Sequence, residues 1–292
     1  MPGLSHIHTY LPHLLAPIHP YLPFGLIDLF GAARLSLIID WIASGVFDPP
    51  APEHEVRSKT KKKKIATKTR SRATLLQELF GLMVVLFGGE TFLCLCTGQT
   101  PSWLVNPNVA LLFGGIHVLQ TRTPIRRLLP SKPTLGLELL LSLPDAIGRT
   151  LLLTKFSVLP LLHASSSVLP KTPTTLLLTP FIVAVPFASI AFSTFNLFSP
   201  EPKFQTPLEL REYGWAYADT WLPVVVPVLL LSLIGPVEGW SFGWGWSEEE
   251  ALVLCTAFVW IVFAGKAVYH LGNRREQWLE MFRISGKKIK TA

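Results

Sequence analysis

Charge is scarce in this chain. Asp, Glu, Lys and Arg supply 15% of its 292 residues against 49% hydrophobic residues, and the mean hydropathy is +0.41. Such a balance is that of a membrane protein. Cysteine is scarcer still: Cys94, Cys96 and Cys255 all lie in apolar stretches, where they read as small packing side chains rather than disulfide partners or metal ligands. Residues 1–19 contain no Lys or Arg and so lack the basic region of a cleavable signal peptide. The histidines there, His6, His8, His13 and His19, have no tight ligand spacing, and no metal site is expected. No segment shows the short alternating pattern of a barrel strand.

What is abundant is the long apolar run. Windows of about 20 residues, enough to cross a ~30 Å hydrocarbon core, centre on Pro23–Ser44, Thr74–Thr97, Ser102–Gln120, Thr134–His163, Thr174–Phe198, Gly214–Gly235 and Ala251–Leu271. Backbone groups in lipid must be satisfied within the segment, so all seven are expected to be helices. The predicted fold is all-α and polytopic: a short lumenal tail over 1–21, a seven-helix membrane domain over 22–271, and a basic cytosolic tail over 272–292.

Within the fourth window Glu138, Ser142, Asp145 and Arg149 are spaced by four, three and four. These steps return to one face of a helix, so the window carries a polar stripe. Ionisable groups cost at least ~2.5–3.5 kcal/mol each near a bilayer centre and normally face a bundle interior or a wet cavity. Arg149 therefore needs a partner inside the protein, and Asp145 or Glu90 is expected to supply it. Pro144 should bend this helix. Gly88 and Gly89 sit mid-span beside Glu90, where adjacent glycines permit close packing or a bend. In the third window His117 pairs best with Glu90, as a buried polar contact. Asp28 and Arg34 in the first also call for buried partners. Ser189, Ser193 and Asn196 form a second stripe, and Pro223 and Pro227 interrupt the sixth window after Asp219. Lys266, near the end of the seventh, is close enough to that end to snorkel.

Between the first two windows, residues 45–73 hold nine Lys and Arg, including Lys61, Lys62, Lys63 and Lys64. A run of this kind often signals nucleic-acid binding. Here it lies between two spans, and attraction to anionic headgroups, at ~1 kcal/mol per residue near the surface, is the simpler account. The next odd-numbered connections and the C-terminal tail hold four, two and six basic residues, whereas the other connections and the N-terminal tail hold only Lys171. The positive-inside rule then puts the N-terminus in the lumen and the C-terminus in the cytosol. Trp240, Trp244 and Trp246, in a loop without Lys or Arg, read as lumenal interfacial anchors.

Three features in order resemble the trimeric intracellular cation channel family: Phe87-Gly88-Gly89 with the following Pro101 turn, Arg149-Thr150 after the Leu139–Ser142 run, and Ala264-Gly265-Lys266. The resemblance covers roughly Leu22 to Arg275. It implies a 3+3 repeat plus one helix, a homotrimer in the endoplasmic reticulum, and a pore in each subunit. Potassium-like monovalent cations would pass through it as counter-ions for calcium release. It also implies an anionic phosphoinositide held by basic residues around the fourth helix, where Arg149 matches the family arginine. The pore and gating candidates are thus Arg149, Asp145, Glu138, Glu90, Gly88, Gly89 and Lys266. Arg149 and Lys61 to Lys64 are the lipid-binding candidates. The chain departs from the family at Asp145-Ala146-Ile147, where relatives have Lys-Glu-Val, and at Pro186-Phe187-Ala188-Ser189, where they have a glycine-rich kink. No catalytic set converges, and no cofactor beyond that lipid is expected. The alternative is a non-conducting scaffold that keeps the channel fold. Lys288 and Lys290, placed as Lys-x-Lys-x-x at the end of the tail, resemble a retrieval signal of the endoplasmic reticulum.

Overall fold

The computed structural model describes residues 16–19, 22–46, 72–163, 169–199, 204, 206–207, 210 and 218–272. Lys61 to Lys64, Lys288 and Lys290 lie outside the described residues. The chain is mostly helical. An antiparallel pair, β1 (Pro17–His19) and β2 (Leu22–Gly25), was not expected from an all-α reading, and it leads straight into α1 (Leu26–Ala43). The principal helices then follow as α2 (Leu75–Thr97), α3 (Asn108–Arg122), α4 (Leu135–Leu153), α5 (Pro173–Ala184), α6 (Ala218–Ile234) and α7 (Glu248–Gly272). α5 runs on as a π-helical turn over Pro186–Ala191.

Every apolar window contains one of these helices, but two windows are broken. The third splits into Ser102–Val105 and α3 around Asn106-Pro107, as expected where proline disfavours helix in the residue before it. The fourth ends as α4 at Leu153; Val158–His163 forms a separate short helix. Among the described residues three helices are able, by length and composition, to cross a membrane: Leu75–Thr97, Pro173–Ala191 and Glu248–Gly272. α1 and α4 each carry three charged residues, and α3 and α6 are 15 and 17 residues long. Pro144, Pro180, Pro223 and Pro227 all lie inside helices.

Two compact units emerge, the division falling within α1 and within α5. The first takes residues 1–31, 133–181 and 216–292. In it α4, α6 and α7 pack as a three-helix bundle. Val226, Leu230, Leu231, Cys255 and Val259 are fully buried, and Ile27 joins Ile147 and Leu151. The loop between α6 and α7 is pinned by its backbone: Trp244 N–H donates to the Ser232 carbonyl and Trp246 N–H to the Leu233 carbonyl. Trp244 is 66% exposed.

The second unit takes residues 32–132 and 182–215. α2 starts at Thr74, whose hydroxyl accepts from Gln77 N–H, and stops at Gly98, whose positive φ of 66° suits the left-handed cap. Its core is Ile39, Ala43, Leu82 and Phe198. Gly88 and Gly89 let α2 meet the end of α5 and its π turn. A Cβ on Gly88 would lie 2.6 Å from the Phe187 side chain, and one on Gly89 would collide with the Val183 backbone. The backbone collision has no rotamer escape. Gly89→Ala is therefore expected to lower stability by about 1–3 kcal/mol, in the manner of overpacking. Gly115→Ala, with nothing within 4 Å of the added methyl, should be neutral or stabilising by up to ~1 kcal/mol. Thermal unfolding of both variants in detergent checks the contrast, and equal melting shifts would contradict it.

Candidate functional site

Asp145 and Arg149 of the α4 stripe converge with two residues from other helices in the first unit. Asp145 and Arg149 are one turn apart on α4, and the Arg149 Nε lies 3.9 Å from the Asp145 Oδ1. The closer partner is Asp219 in the first turn of α6, with Arg149 Nη1 at 3.1 Å from its Oδ1. The second carboxylate oxygen of Asp219 accepts from Lys266 Nζ of α7 at 3.2 Å. One aspartate thus joins all three helices of the bundle through two cations. The four side chains carry two positive and two negative charges and are 23–38% exposed, neither sealed nor fully solvated. Charged hydrogen bonds of this kind are roughly twice as strong as neutral ones, which fixes the helix register around Asp219.

Several expectations change here. The Glu90 carboxylate, offered as a second partner for Arg149, accepts from the Ser102 backbone N–H and staples the turn between α2 and α3. Trp103 reinforces that staple by donating its indole N–H to the Thr91 hydroxyl at 3.0 Å. Lys266 is held by Asp219, so a salt bridge replaces the expected snorkelling. Glu138 stands in the first turn of α4, eleven residues before Arg149 and hence about 16 Å away along the axis; its charge suits the positive end of the helix dipole. Ser142 is buried and accepts a hydrogen bond from the Trp260 indole of α7 at 3.1 Å. Asp28 accepts from Gly25 N–H at the start of α1, a local cap. Cys94 and Cys255 are buried and Cys96 is exposed, all three as free thiols.

A second charged group lies in the other unit. Glu78, fully buried in the first turn of α2, accepts from Arg72 Nε and from Arg122 Nη2, the latter at 2.8 Å. His117 approaches with Nε2 at 3.4 Å, and its Nδ1 is 3.0 Å from the Ser36 hydroxyl. The expected pairing of His117 with Glu90 is therefore corrected to His117 with Glu78 and Ser36. Arg72 also holds Asp40 at 2.7 Å, and Arg126 approaches the same carboxylate at 3.5 Å. Burial alone lowers the guanidinium pKa of Arg72, but the hydrogen bonds and charges of Glu78 and Asp40 outweigh it and leave the value raised. Arg72 was counted among nine lipid-facing charges of the polybasic loop. The structure removes it from that set.

Compared with known proteins, the chain matches no family model, no curated protein sequence and no solved structure. Among the described residues no group of His, Cys, Asp and Glu is arranged to hold a metal ion.

Proposed function

We propose that this chain is a monovalent cation channel of an intracellular membrane, assembled as a homotrimer with seven spans per subunit. The observation that carries the reading is the quartet of Asp145, Arg149, Asp219 and Lys266. Two of its members, Arg149 and Lys266, are the residues singled out by resemblance to trimeric intracellular cation channels, and one carboxylate links them. Charges with this much exposure on a membrane bundle are the usual furniture of an ion path. The close crossing at Gly88 and Gly89 supports the same reading, since it occurs at the family-like Phe-Gly-Gly segment and meets the stretch where relatives have their kink. Because the quartet is neutral when paired, a non-conducting scaffold is the competing reading. Reconstitution of the purified trimer into planar bilayers in symmetrical potassium chloride separates them. Single-channel openings are expected; well-assembled trimers without any would leave the scaffold.

On this reading the N-terminus is lumenal, the C-terminus is cytosolic, and Lys288 and Lys290 return the protein to the endoplasmic reticulum. Tags at Lys59–Lys64 and after Ala292 are expected to be protease-sensitive on sealed microsomes, and one at Trp240–Glu250 to be protected. The opposite pattern would invert the topology. Replacing Lys288 and Lys290 with Ser is expected to shift a tagged protein toward the Golgi and cell surface by microscopy. The phosphoinositide proposed to regulate the channel would act through Lys61 to Lys64 in a salt-sensitive way, since the Debye length is only ~10 Å at 0.1 M salt. Arg149, whose guanidinium already holds two carboxylates, would contribute less.

A further inference from the structure

The Ser36, His117 and Glu78 side chains form a chain of polar contacts across α1, α3 and α2, and they are 1%, 0% and 0% exposed. The order resembles that of a nucleophile, base and acid, but groups so enclosed admit no acyl substrate. A proton needs no such opening. We propose that His117 is a buried proton-binding site that competes with Arg122 for Glu78, so that acidification releases the C-terminal end of α3.

The chemistry follows from donors and acceptors. The Glu78 carboxylate, ionised between two arginines, only accepts hydrogen bonds, so His117 presents Nε2–H to it. In neutral imidazole Nδ1 is then an acceptor, and the Ser36 hydroxyl donates to it. When a proton binds at Nδ1, that nitrogen becomes a donor. The Ser36 oxygen accepts, and its hydroxyl hydrogen turns toward a carbonyl one turn back on α1, a bond serines in helices readily make. Proton uptake thus requires only a hydroxyl rotation.

The consequence falls on Glu78 Oε2. Arg122 Nη2 at 2.8 Å, Arg72 Nη2 at 3.3 Å and His117 Nε2 at 3.4 Å all point at this single oxygen. A charged His117 makes three cations around one buried carboxylate. Arg72 is secured on its far side by Asp40, to which Arg126 is also drawn, so it stays. Among the described residues Arg122 has no second carboxylate, only a long contact to the Ala73 carbonyl at 3.5 Å, and it is the more exposed of the two Glu78 arginines, 34% against 18%. It is the cation that leaves, and the turn over Pro124–Arg127 loosens with it while keeping the longer Arg126–Asp40 contact at 3.5 Å.

Hydroxyl-radical footprinting of the full-length protein in nanodiscs, read by mass spectrometry, tests this. Oxidation of the segment Thr121–Leu128 is referred to that of α7 in the same molecule, which cancels the effect of pH on radical yield. Between about pH 7.5 and pH 5.5 the ratio should rise about threefold in the wild type. H117Q is expected to stay low at both values, and R122Q to be high at both. S36A, lacking the acceptor for the new N–H, should show a smaller rise. A flat profile in the wild type overturns the proposal whatever the variants do, and so does an equal rise in H117Q.

Discussion

Replacing Glu78 with alanine is expected to cost about 3–5 kcal/mol, the range for removing one partner of a buried ion pair. Glu78 is fully buried and receives two guanidinium groups, so its loss leaves Arg72 and Arg122 facing each other across the space of the missing carboxylate. Arg72 keeps Asp40, which limits the penalty on that side. Arg122 has no second carboxylate among the described residues. A stability loss of this size corresponds to a melting shift of roughly 6–20 °C for a domain of this order, measurable by thermal unfolding in detergent. Glu78→Gln keeps the shape and should cost less than the alanine change while still losing the charge. Adding Arg122→Gln to Glu78→Gln should cost less than Arg122→Gln alone, because the two residues share one interaction. Additive losses would mean that Glu78 and Arg122 are energetically independent.

The second large effect is on conduction, and its sign differs between partners. Asp219→Asn removes the carboxylate shared by Arg149 and Lys266, leaving the quartet with two cations and Asp145 alone. Arg149→Gln leaves two carboxylates and only Lys266. A unit charge about 8 Å from a passing ion contributes about 2 kcal/mol at an effective dielectric constant near 20, and each 1.4 kcal/mol is about tenfold in local occupancy. Under the proposed channel function, potassium conductance should fall about two- to tenfold in Asp219→Asn and rise by a similar factor in Arg149→Gln. Single-channel recordings and trimer yield by size exclusion provide the check. Two well-assembled variants with unaltered conductance would take the quartet out of the ion path. A fall in both would show that the salt bridges serve to hold the helices rather than to set the field.

Local periodicity made half of the quartet legible. Asp145 and Arg149 are one turn apart, and a spacing of four declares a shared face in any helix. Asp219 lies seventy residues further along with no periodic tie to α4, so only the packing of α6 reveals it as the closer partner of Arg149. The reassignment of His117 has a plainer cause. α2 and α3 are antiparallel neighbours joined by a short connection, so contacts pair residues equidistant from the turn near Gly98. Glu78 and His117 lie almost symmetrically about it, whereas Glu90 is too near the turn to reach. Equal distances from Gly98 were the available signal. The apolar windows located all seven principal helices, but hydropathy does not register the breaks at Asn106-Pro107 and after Leu153. The π turn at Pro186–Ala191 changes the period on which the spacing of Ser189, Ser193 and Asn196 rests, while the Ser193 hydroxyl donates to the Ser189 carbonyl at 2.8 Å.

The unit containing Gly88 and Gly89 is built from two separated pieces of chain, 32–132 and 182–215. That has a meaning for the order of synthesis. Some ninety residues separate Gly89 from Val183, and Gln77, whose side-chain amide donates to the Leu197 and Ser199 carbonyls, waits longer still. At about 5–20 residues per second the ribosome needs roughly 5–20 s to deliver the second piece. During that interval α2 exists with its glycine face uncovered and its glutamine unsatisfied. A chaperone or the insertion machinery that shields α2 over those seconds would decide how much chain matures, and slowing translation between Lys132 and Ile182 should lower the yield of native protein.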